Sequence, residues 1–500
     1  MKSLFTRLAS GFAKPLWLLA LPGCAQLFGL DNTTGVALDA PGPGVHFGIQ
    51  LEQIGATIVD TPDDPAVTHD TVAFLVPDGS TLGYQTVPAT LSAAGAWSGD
   101  ISTGNPLVDF TIDGNRHIWI VPTRDLKMTN AVLGHPNAVA PPDSSVFTLS
   151  IAVAGGLTGA GAEILSFLTV GAWSQQGIPD PAMAAASIDG QLMYTAATAV
   201  GGPLAKITPT DAVLVMRRRP SALVDGTYPL DGVFQTSIDQ TGTDTLSGSL
   251  ADTAVDKMLS AQIAPTALAT RYTAVRPAVG SLALGWTCVA APGYQRGAVN
   301  GPTLNDSGIL PTATTITGAY GNPFASLGWK ELLFYNSLES RTVTLPSGQT
   351  FGLNAGLQTI VQPSAGQTFD MPAGLPQSIS LNDMPLATDN MTVTVDPTKY
   401  VHISMVNDRT ANTFVEVALF EVVTPDAATV TTKLVIDALA VDPTALVLPP
   451  DVFVAGHTYF IEASTHQGGF PNAATGDFQT QAPPFYVGYS FSGVFTVSNS

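Results

Sequence analysis

Charged side chains are scarce in this chain of 500 residues, since Asp, Glu, Lys and Arg together make up only 12% of it. That is about half the usual share in globular proteins. Only 19 residues are basic against 39 acidic, which gives a formal net charge of −20. Nucleic-acid binding needs a clustered basic face, and the basic run at 217–219 is followed at once by Pro220. The composition therefore argues against a nucleic-acid partner.

Cysteine occurs only at Cys24 and Cys288, so the chain has no framework of several disulfides. Cys288 lies in the apolar run 282–291, where a buried thiol packs as a small hydrophobic group. No histidine lies between His135 and His402 that could serve as a nearby base. We therefore expect a packing role for Cys288 and not a nucleophilic one.

Histidine is also scarce, and the seven histidines show no HxH or HExxH spacing typical of a zinc site. The glycine-rich stretch 152–164 lacks the lysine of a phosphate-binding loop. GYSFSG, at 488–493, has the wrong glycine spacing for a serine-hydrolase nucleophile. Acidic loops at 59–70 and 239–245 could offer oxygen ligands to calcium, although a solvated turn is the simpler interpretation. The sequence predicts no catalytic residue, no metal and no cofactor.

Glycine and proline are abundant instead, with 48 and 38 residues. From about residue 45, short apolar runs such as VHFGIQLE and VFTLSIAV alternate with turn signals roughly every ten residues, which is typical of sandwiches and barrels. Helix patterns are confined to 252–264, which Pro265 is expected to end, and 330–340. We predict a mainly β protein made of tandem β-sandwich (immunoglobulin-like) domains with few short helices.

Residues 1–23 combine a basic leader with an apolar core that is too short to span a bilayer, which predicts a signal peptide for export. Leu21-Pro22-Gly23-Cys24 resembles the lipobox of bacterial lipoproteins. The resemblance implies that Cys24 is lipidated and holds the protein in the outer membrane or at the cell surface. Residues 24–44 are rich in Gly and Pro without a sustained period, and we expect a flexible tether there.

Turn-rich breaks divide the rest of the chain into four predicted domains. These are a β domain at 45–155, two β-rich domains at 156–300 and 301–390, and a C-terminal sandwich of about seven strands at 391–500. His117, which shares a strand face with Trp119, is interpreted as a surface histidine.

The stretch from Phe453 to Tyr459, FVAGHTY, has the spacing of the fibronectin type III signature, with Phe453 in place of its leucine and Ala455 in place of its proline. The resemblance implies a fibronectin type III or immunoglobulin-like sandwich for the last domain. We expect the ring of Tyr459 to pack at the core edge while its hydroxyl bonds a backbone group at the corner. Gly456 would supply the backbone freedom of the turn.

Residues 465–485 read as a long loop at the end of this sandwich, where such folds often place recognition. The candidate binding residues are His466, Phe470, Phe478 and Phe485. The alternative is that the three rings fold back onto their own domain. His457 and His466 are interpreted as a turn residue and a loop residue.

Two functions remain open. The first is an exported, membrane-tethered lipoprotein that acts as a structural or binding module of the cell envelope, with a surface protein or polysaccharide as ligand. The alternative is a secreted or surface hydrolase of polysaccharide or peptide with its site in 45–390, since paired carboxylates are not recognisable from spacing alone. A calcium-dependent adhesin is a third hypothesis. The combination of acidity, signal, cysteine and terminal sandwich resembles surface lipoproteins of predatory or social bacteria.

Overall fold

The computed structural model describes residues 44–499 apart from short gaps. The gaps are 63–69, 79–82, 93–95, 102–105, 113, 121–122, 135–138, 143–144, 160–162, 171–173, 179–184, 196–199, 202–204, 276–280, 295–300, 310–314, 365, 370, 410–412, 425, 427–428 and 442–445. The predicted signal peptide, Cys24 and nearly all of the predicted tether lie outside the described residues.

Strands dominate the described residues, as the abundance of β-branched and turn-forming residues predicts. The first group is β1 (Val45–Ile54), β2 (Ile58–Pro62), β3 (Thr71–Pro77), β4 (Tyr84–Pro88), β5 (Thr90–Leu91), β6 (Ala96–Gly99), β7 (Leu107–Ile112), β8 (Asn115–Ile120), β9 (Asp125–Leu133), β10 (Val146–Val153) and β11 (Ile164–Thr169).

The middle of the chain adds β12 (Ser174–Gly177), β13 (Ser187–Met193), β14 (Val200–Gly201), β15 (Val213–Arg218), β16 (Leu230–Thr236), β17 (Thr243–Asp252), β18 (Lys257–Gln262), β19 (Ser281–Ala291), β20 (Thr303–Ile309), β21 (Thr315–Tyr320), β22 (Lys330–Thr344), β23 (Thr350–Val361) and β24 (Gln367–Thr368). The C-terminal group is β25 (Pro376–Leu381), β26 (Met384–Pro385), β27 (Met391–Val395), β28 (Val401–Asn407), β29 (Phe414–Val423), β30 (Thr431–Ala440), β31 (Val447–Leu448), β32 (Thr458–Gly469), β33 (Ala482–Phe491) and β34 (Phe495–Asn499).

The α-helix of the described residues is α1 (Pro265–Val275), and 3-10 turns lie at Ala325–Leu327, Pro450–Val452 and Ala473–Thr475. In this part of the chain, no helix combines the length and the apolar character that crossing a membrane requires. Strands far outnumber helices, which confirms the predicted mainly β fold with few short helices, and the multiple sheets are consistent with immunoglobulin-like β-sandwiches.

Both segments predicted to be helical were assigned wrongly. Segment 252–264 contains β18, and segment 330–340 lies within β22, which pairs with β19 on one side and β23 on the other. Long-range pairing of this kind overrides a local helical pattern. Pro265 begins α1 instead of ending a helix, since a proline at the first helical position gives up an N–H that would have no partner there.

The largest sheet has 14 strands, in the order β20-β19-β22-β23-β33-β32-β29-β30-β8-β7-β3-β4, with β34 paired to β32 and β27 paired to β34. Its central strands form one layer of a C-terminal sandwich whose other layer is the sheet β26-β25-β28-β31. Apolar residues of both layers share one buried core: Val415, Val417, Ile461 and Ala463 from the large sheet, and Ile379, Val401, Ile403 and Leu448 from the small one.

A second core covers the opposite face of the large sheet. It includes Phe414, Leu439 and Trp119, which alternate along their strands with residues of the first core. Phe47 of β1 and Met128 of β9 pack onto this face. The strands at the centre of the large sheet are therefore buried on both sides.

Backbone pairing crosses the predicted domain limits. β30, in 391–500, runs parallel to β8, in 45–155, and β33 pairs with β23, in 301–390. The sandwich also uses β25 and β26, which precede residue 391. The four boundaries stay predictions, and the described strands, with β19 from 156–300, join parts of all four regions in one continuous sheet.

The structure confirms the predicted corner at Tyr459. Its ring is 1% exposed, and its Oη accepts a hydrogen bond from the backbone N–H of Val454 at 2.9 Å. Gly456 has a φ of +82°, a conformation that favours glycine. The strand then continues inward through Ile461 and Ala463, both fully buried. The tyrosine therefore fixes the turn that leads into β32.

Candidate functional site

The predicted binding residues lie in the interior of the protein. His466 was expected in a loop, but it lies within β32 and is 3% exposed. Phe470, Phe478 and Phe485 are buried as well, and the ring of Phe478 lies 4.8 Å from that of Trp119. The three rings pack into the second core. A recognition role for loop 465–485 stays a prediction.

A cluster of polar side chains lies beside these rings on the same face of the large sheet. In the strand register, Glu416 lies opposite Ser464, and Ala418 lies between Glu462 on one side and Asp437 on the other. Residues that face each other or alternate by two share a sheet face. We call this set the acid–histidine cluster: His117, Glu416, Asp437, Glu462, Ser464 and His466.

Hydrogen bonds link the members of the acid–histidine cluster. His466 Nε2 lies 3.0 Å from Glu416 Oε2 and 3.1 Å from Ser464 Oγ, and this hydroxyl lies 3.4 Å from the same carboxylate oxygen. His117 Nδ1 lies 3.2 Å from Asp437 Oδ2. Every member is at most 4% exposed. Because water does not reach these polar groups, they depend on one another for hydrogen bonds.

Each imidazole stacks on an aromatic ring. His466 stacks on Phe414 with ring centroids 4.2 Å apart, and His117 stacks on Phe110 at 5.1 Å. His117 was predicted at the surface, and this was wrong. Because β30 pairs with β8 and the second core covers this face, the side chain is buried. Neither long-range feature is visible in the local sequence NRHIWIV.

Burial changes the protonation of the acid–histidine cluster. The pKa of Asp437 is raised well above its ordinary value, first by loss of water around the carboxyl and then by the charge of Glu416 and a hydrogen bond with it, with Glu462 adding to the effect. Burial lowers the pKa of His117 to about 4, although the negative charge of Glu416 opposes this. Asp437 thus holds its proton to unusually high pH, and His117 is neutral above about pH 4.

The acid–histidine cluster has the residue types of a hydrolytic triad but not its geometry. In a triad, the acid holds one ring nitrogen of histidine and the nucleophile meets the other. Here Glu416 and Ser464 both meet Nε2 of His466. Within the described residues, no group of three or more His, Cys, Asp or Glu side chains is arranged to hold a metal ion. The arrangement is suited to sharing protons in a closed space.

Two charged residues inside apolar runs are weak sequence signals of this site. Glu416 interrupts the apolar run FVEVALFEVV, and Asp437 interrupts TKLVIDAL. A charge within a strand that is buried on both faces needs a partner. Which partner each one has depends on pairing between β8, β29, β30 and β32, and β8 is far from the other three in sequence.

The basic run 217–219 is neutralised by acidic partners. Arg217 is fully buried and bonds Asp231 at 2.9 Å and Asp252 at 3.0 Å. Arg218 pairs with Asp306 at 2.7 Å. Arg219 pairs with Asp231 as well. These guanidinium groups hold the middle sheets together.

An open cleft of about 780 Å³ lies where the ends of β16 and β17 approach the segment around Asn322. Asp252, Asp256 and Lys257 line it. Asp252 is already paired with Arg217, and Lys257 with Glu331. The cleft therefore holds two carboxylates, of which one has a basic partner.

Both carboxylates of the acidic turn at 239–245 have hydrogen-bond or ion-pair partners within the protein. Asp244 accepts hydrogen bonds from the Thr241 N–H at 3.0 Å and the Thr241 hydroxyl at 2.8 Å, and Asp239 pairs with Lys206 at 2.6 Å. Residues 63–69 of the other acidic loop lie outside the described residues. The calcium hypothesis stays a prediction.

Close packing explains the glycines of GYSFSG. A side chain at Gly488 would overlap the carbonyl oxygen of Gly374, and one at Gly493 would overlap that of Thr388. Ser492 Oγ accepts from the Ile461 N–H at 2.9 Å and donates to the Gly493 carbonyl at 2.7 Å. The motif holds the end of the sandwich together.

The thiol of Cys288 is fully buried in β19, as predicted. Burial raises its pKa above the ordinary value, and the charge of Glu331 adds to this. A thiolate is the reactive form of cysteine. Cys288 is therefore a packing residue.

Neither a scan of protein-family models nor a search of curated proteins finds a match to this chain. Among solved structures, one similar chain is Escherichia coli alpha-2-macroglobulin activated by porcine elastase, at 9% identity and a TM-score of 0.14. That match covers 91% of this chain and 44% of the other, so this chain spans less than half of that protein's length.

Proposed function

We propose that this protein is an exported structural or binding module of the cell envelope, held at a membrane by lipid on Cys24 and carrying a C-terminal sandwich of the fibronectin type III kind. The observation that supports this best is the closure of the acid–histidine cluster. This grouping of carboxylates and imidazoles is at most 4% exposed, so no substrate reaches it. Its ligand would be a surface protein or a polysaccharide.

Two further features support a module that carries or displays a surface. The corner hydrogen bond from Val454 to Tyr459 resembles the tyrosine corner of immunoglobulin-like sandwich domains, which supports this proposal. The 14-stranded sheet connects strands from Thr71–Pro77 to Ala482–Phe491 through backbone hydrogen bonds. A continuous ladder of this length joins distant parts of the chain, as a structural module requires.

Intact-mass measurement of the protein extracted from membranes tests the lipid anchor. The expected product begins at Cys24 and carries added acyl mass, and it partitions into detergent. The variant Cys24→Ala should lose the acyl mass and leave the membrane fraction. A wild-type protein that keeps residues 1–23, or that lacks added mass at Cys24, would refute the anchor.

The open cleft favours hydrolysis as a second candidate function. Asp252 and Asp256 line a space of about 780 Å³, large enough for part of a saccharide or peptide chain. Hydrolysis of polysaccharides and peptides by the purified protein tests this, with Asp256→Asn as the variant and Asp225→Asn, an exposed acid outside the cleft, as the control. Activity that only Asp256→Asn removes would replace the module proposal. Equal activity in both variants would dismiss the cleft.

A further inference from the structure

The N-terminal strands join the C-terminal sandwich along a short seam between β8 and β30. The seam has four parallel register pairs, from Asp437 opposite His117 to Ala440 opposite Ile120. The Val441 N–H extends it with a hydrogen bond to the Ile120 carbonyl at 3.1 Å. This ladder is short beside the neighbouring contact of β29 with β30, which has nine register pairs.

Ionisable side chains lie on both faces of the seam. On one face, Arg116 bonds Asp109 at 2.7 Å and Asp451 at 2.8 Å. Because Asp451 is 66% exposed, water screens the Arg116–Asp451 ion pair, and this pair adds little stability. On the other face, His117 and Asp437 meet in the buried acid–histidine cluster. We therefore expect the pH dependence of the seam's stability to come from the buried face.

Asp437 shares its sheet face with ionisable groups on both neighbouring strands and on the strand beyond β29. These are His117 from β8, Glu416 from β29 and Glu462 from β32, and Glu416 in turn contacts His466. No Lys or Arg is among these described neighbours of Asp437. Carboxylates that share a buried site repel each other unless one keeps a proton. Asp437 is fully buried, and its Oδ2 lies 3.2 Å from His117 Nδ1 across the seam. In the strand register it shares a sheet face with Glu416 and Glu462, so a proton on Asp437 reduces the repulsion among the three carboxyl groups.

We propose that the β8–β30 seam is a proton-operated latch, which is closed while Asp437 carries a proton and opens when rising pH removes it. In the closed seam, the proton on Asp437 lets three carboxyl groups lie together without water. When that proton leaves, a further negative charge lies beside Glu416 and Glu462 in a site at most 3% exposed. Separation of β8 from β30 admits water to the charges. It breaks four register pairs and the Val441–Ile120 hydrogen bond, and it reduces the burial of Ile118 and Trp119.

The pH dependence of the latch follows from proton linkage. Opening releases the proton of Asp437, so the open fraction grows tenfold for each pH unit between the pKa of Asp437 in the open state and its higher pKa in the closed state. Near pH 6.5, proton uptake by the exposed His117 offsets part of this slope, and the full slope applies at higher pH. Hydrogen exchange reports the protection factor, which is the reciprocal of the open fraction. The protection factor already corrects for the faster intrinsic exchange at high pH. The protection of β8 and β30 amides should fall tenfold per pH unit.

The test is hydrogen exchange with mass spectrometry on the full chain between pH 7.5 and pH 10, where His117 is neutral in both the closed and the open state. Peptides that cover Asn115–Ile120 and Thr431–Ala440 report the seam, and peptides from Lys330–Thr344 and Thr350–Val361 serve as internal controls. Wild-type seam protection is expected to fall with pH while the controls stay constant. In Asp437→Asn, which keeps the shape and loses the proton, seam protection should become independent of pH.

Two results would overturn the latch. One is a wild-type seam whose protection stays as constant as that of the control peptides up to pH 10. The other is the same tenfold dependence in Asp437→Asn as in the wild type. If Asp437→Asn does not fold, Asp437→Leu replaces it, because leucine is of similar size and carries no titratable proton. That variant should also lose the pH dependence, and a retained dependence would count against the latch.

Discussion

The corner tyrosine gives the sharpest quantitative prediction. In Tyr459→Phe, the Val454 N–H loses its acceptor at 2.9 Å while the ring, which is 1% exposed, keeps its packing beside Phe453 and Phe495. A buried donor left unpaired costs about 1–3 kcal/mol. Because Val454 is itself 47% exposed, water can partly replace the hydroxyl. We therefore expect a loss of about 1–2 kcal/mol in the free energy of unfolding.

A second tyrosine provides a matched control. The Tyr335 hydroxyl is buried and has no hydrogen-bond partner among the described residues, and its ring stacks on Phe369 at 4.8 Å. Tyr335→Phe removes a polar atom that is desolvated without compensation. The substitution should therefore leave stability unchanged or raise it by up to about 1 kcal/mol. The two variants delete the same atom and differ only in whether that atom was bonded.

Urea unfolding followed by circular dichroism measures the difference. With a slope of about 3 kcal/mol per molar urea, Tyr459→Phe should lower the midpoint by about 0.5 M at unchanged slope. Tyr335→Phe should leave the midpoint in place or raise it. Equal losses in the two variants would refute the reasoning, since the hydrogen bond at the corner would then contribute nothing of its own.

Three further predictions follow from buried groups. Because the folded-state pKa of His117 is about 4 against an ordinary 6.5, the unfolded chain binds this proton more readily between those values, and about 3 kcal/mol of stability is lost as the pH falls through this window. Urea midpoints at pH 7 and pH 4.5 should show His117→Asn to be less acid-sensitive than the wild type. Gly488→Ala should lower the free energy of unfolding by about 1–3 kcal/mol through overlap with the Gly374 carbonyl, whereas Gly48→Ala, where a methyl group meets open space, should change it by less than about 0.5 kcal/mol. Cys288 should resist alkylation in the native protein and react after denaturation, as peptide mass mapping will show; rapid native labelling would contradict its burial.

The sequence predicted what depends on neighbours along the chain. The turn at Gly456, the inward face through Ile461 and Ala463, and the hydroxyl bond of Tyr459 all lie within one short segment, and all were found. Strand-rich composition likewise indicated the fold class. Such features depend on backbone conformation and on alternation, which a single sequence displays directly.

Features that depend on distant strands could not be predicted in the same way. His117 was placed at the surface because nothing near it indicates that β30 covers its strand edge, 320 residues away. Segment 330–340 resembled a helix because its two partners, β19 and β23, determine its conformation from both sides. The acid–histidine cluster could not be predicted for the same reason. The sequence of each strand shows neither the burial of its polar residue nor the ionisable groups that lie beside it.

Sheet edges explain why domain boundaries are hard to recognise in this chain. An isolated C-terminal sandwich would expose β30 and β33 as open edges, which invite pairing with other chains. Here β8 covers one edge and β23 covers the other, so both edges are protected by strands of the same molecule. Protection of this kind requires backbone hydrogen bonds between distant regions but no particular linker composition. On the β8 side, the edge of β30 is covered by few register pairs, and the first pair contains the buried carboxyl of Asp437. The large sheet is therefore continuous across this junction, and the junction is also the place where the proposed latch responds to protons.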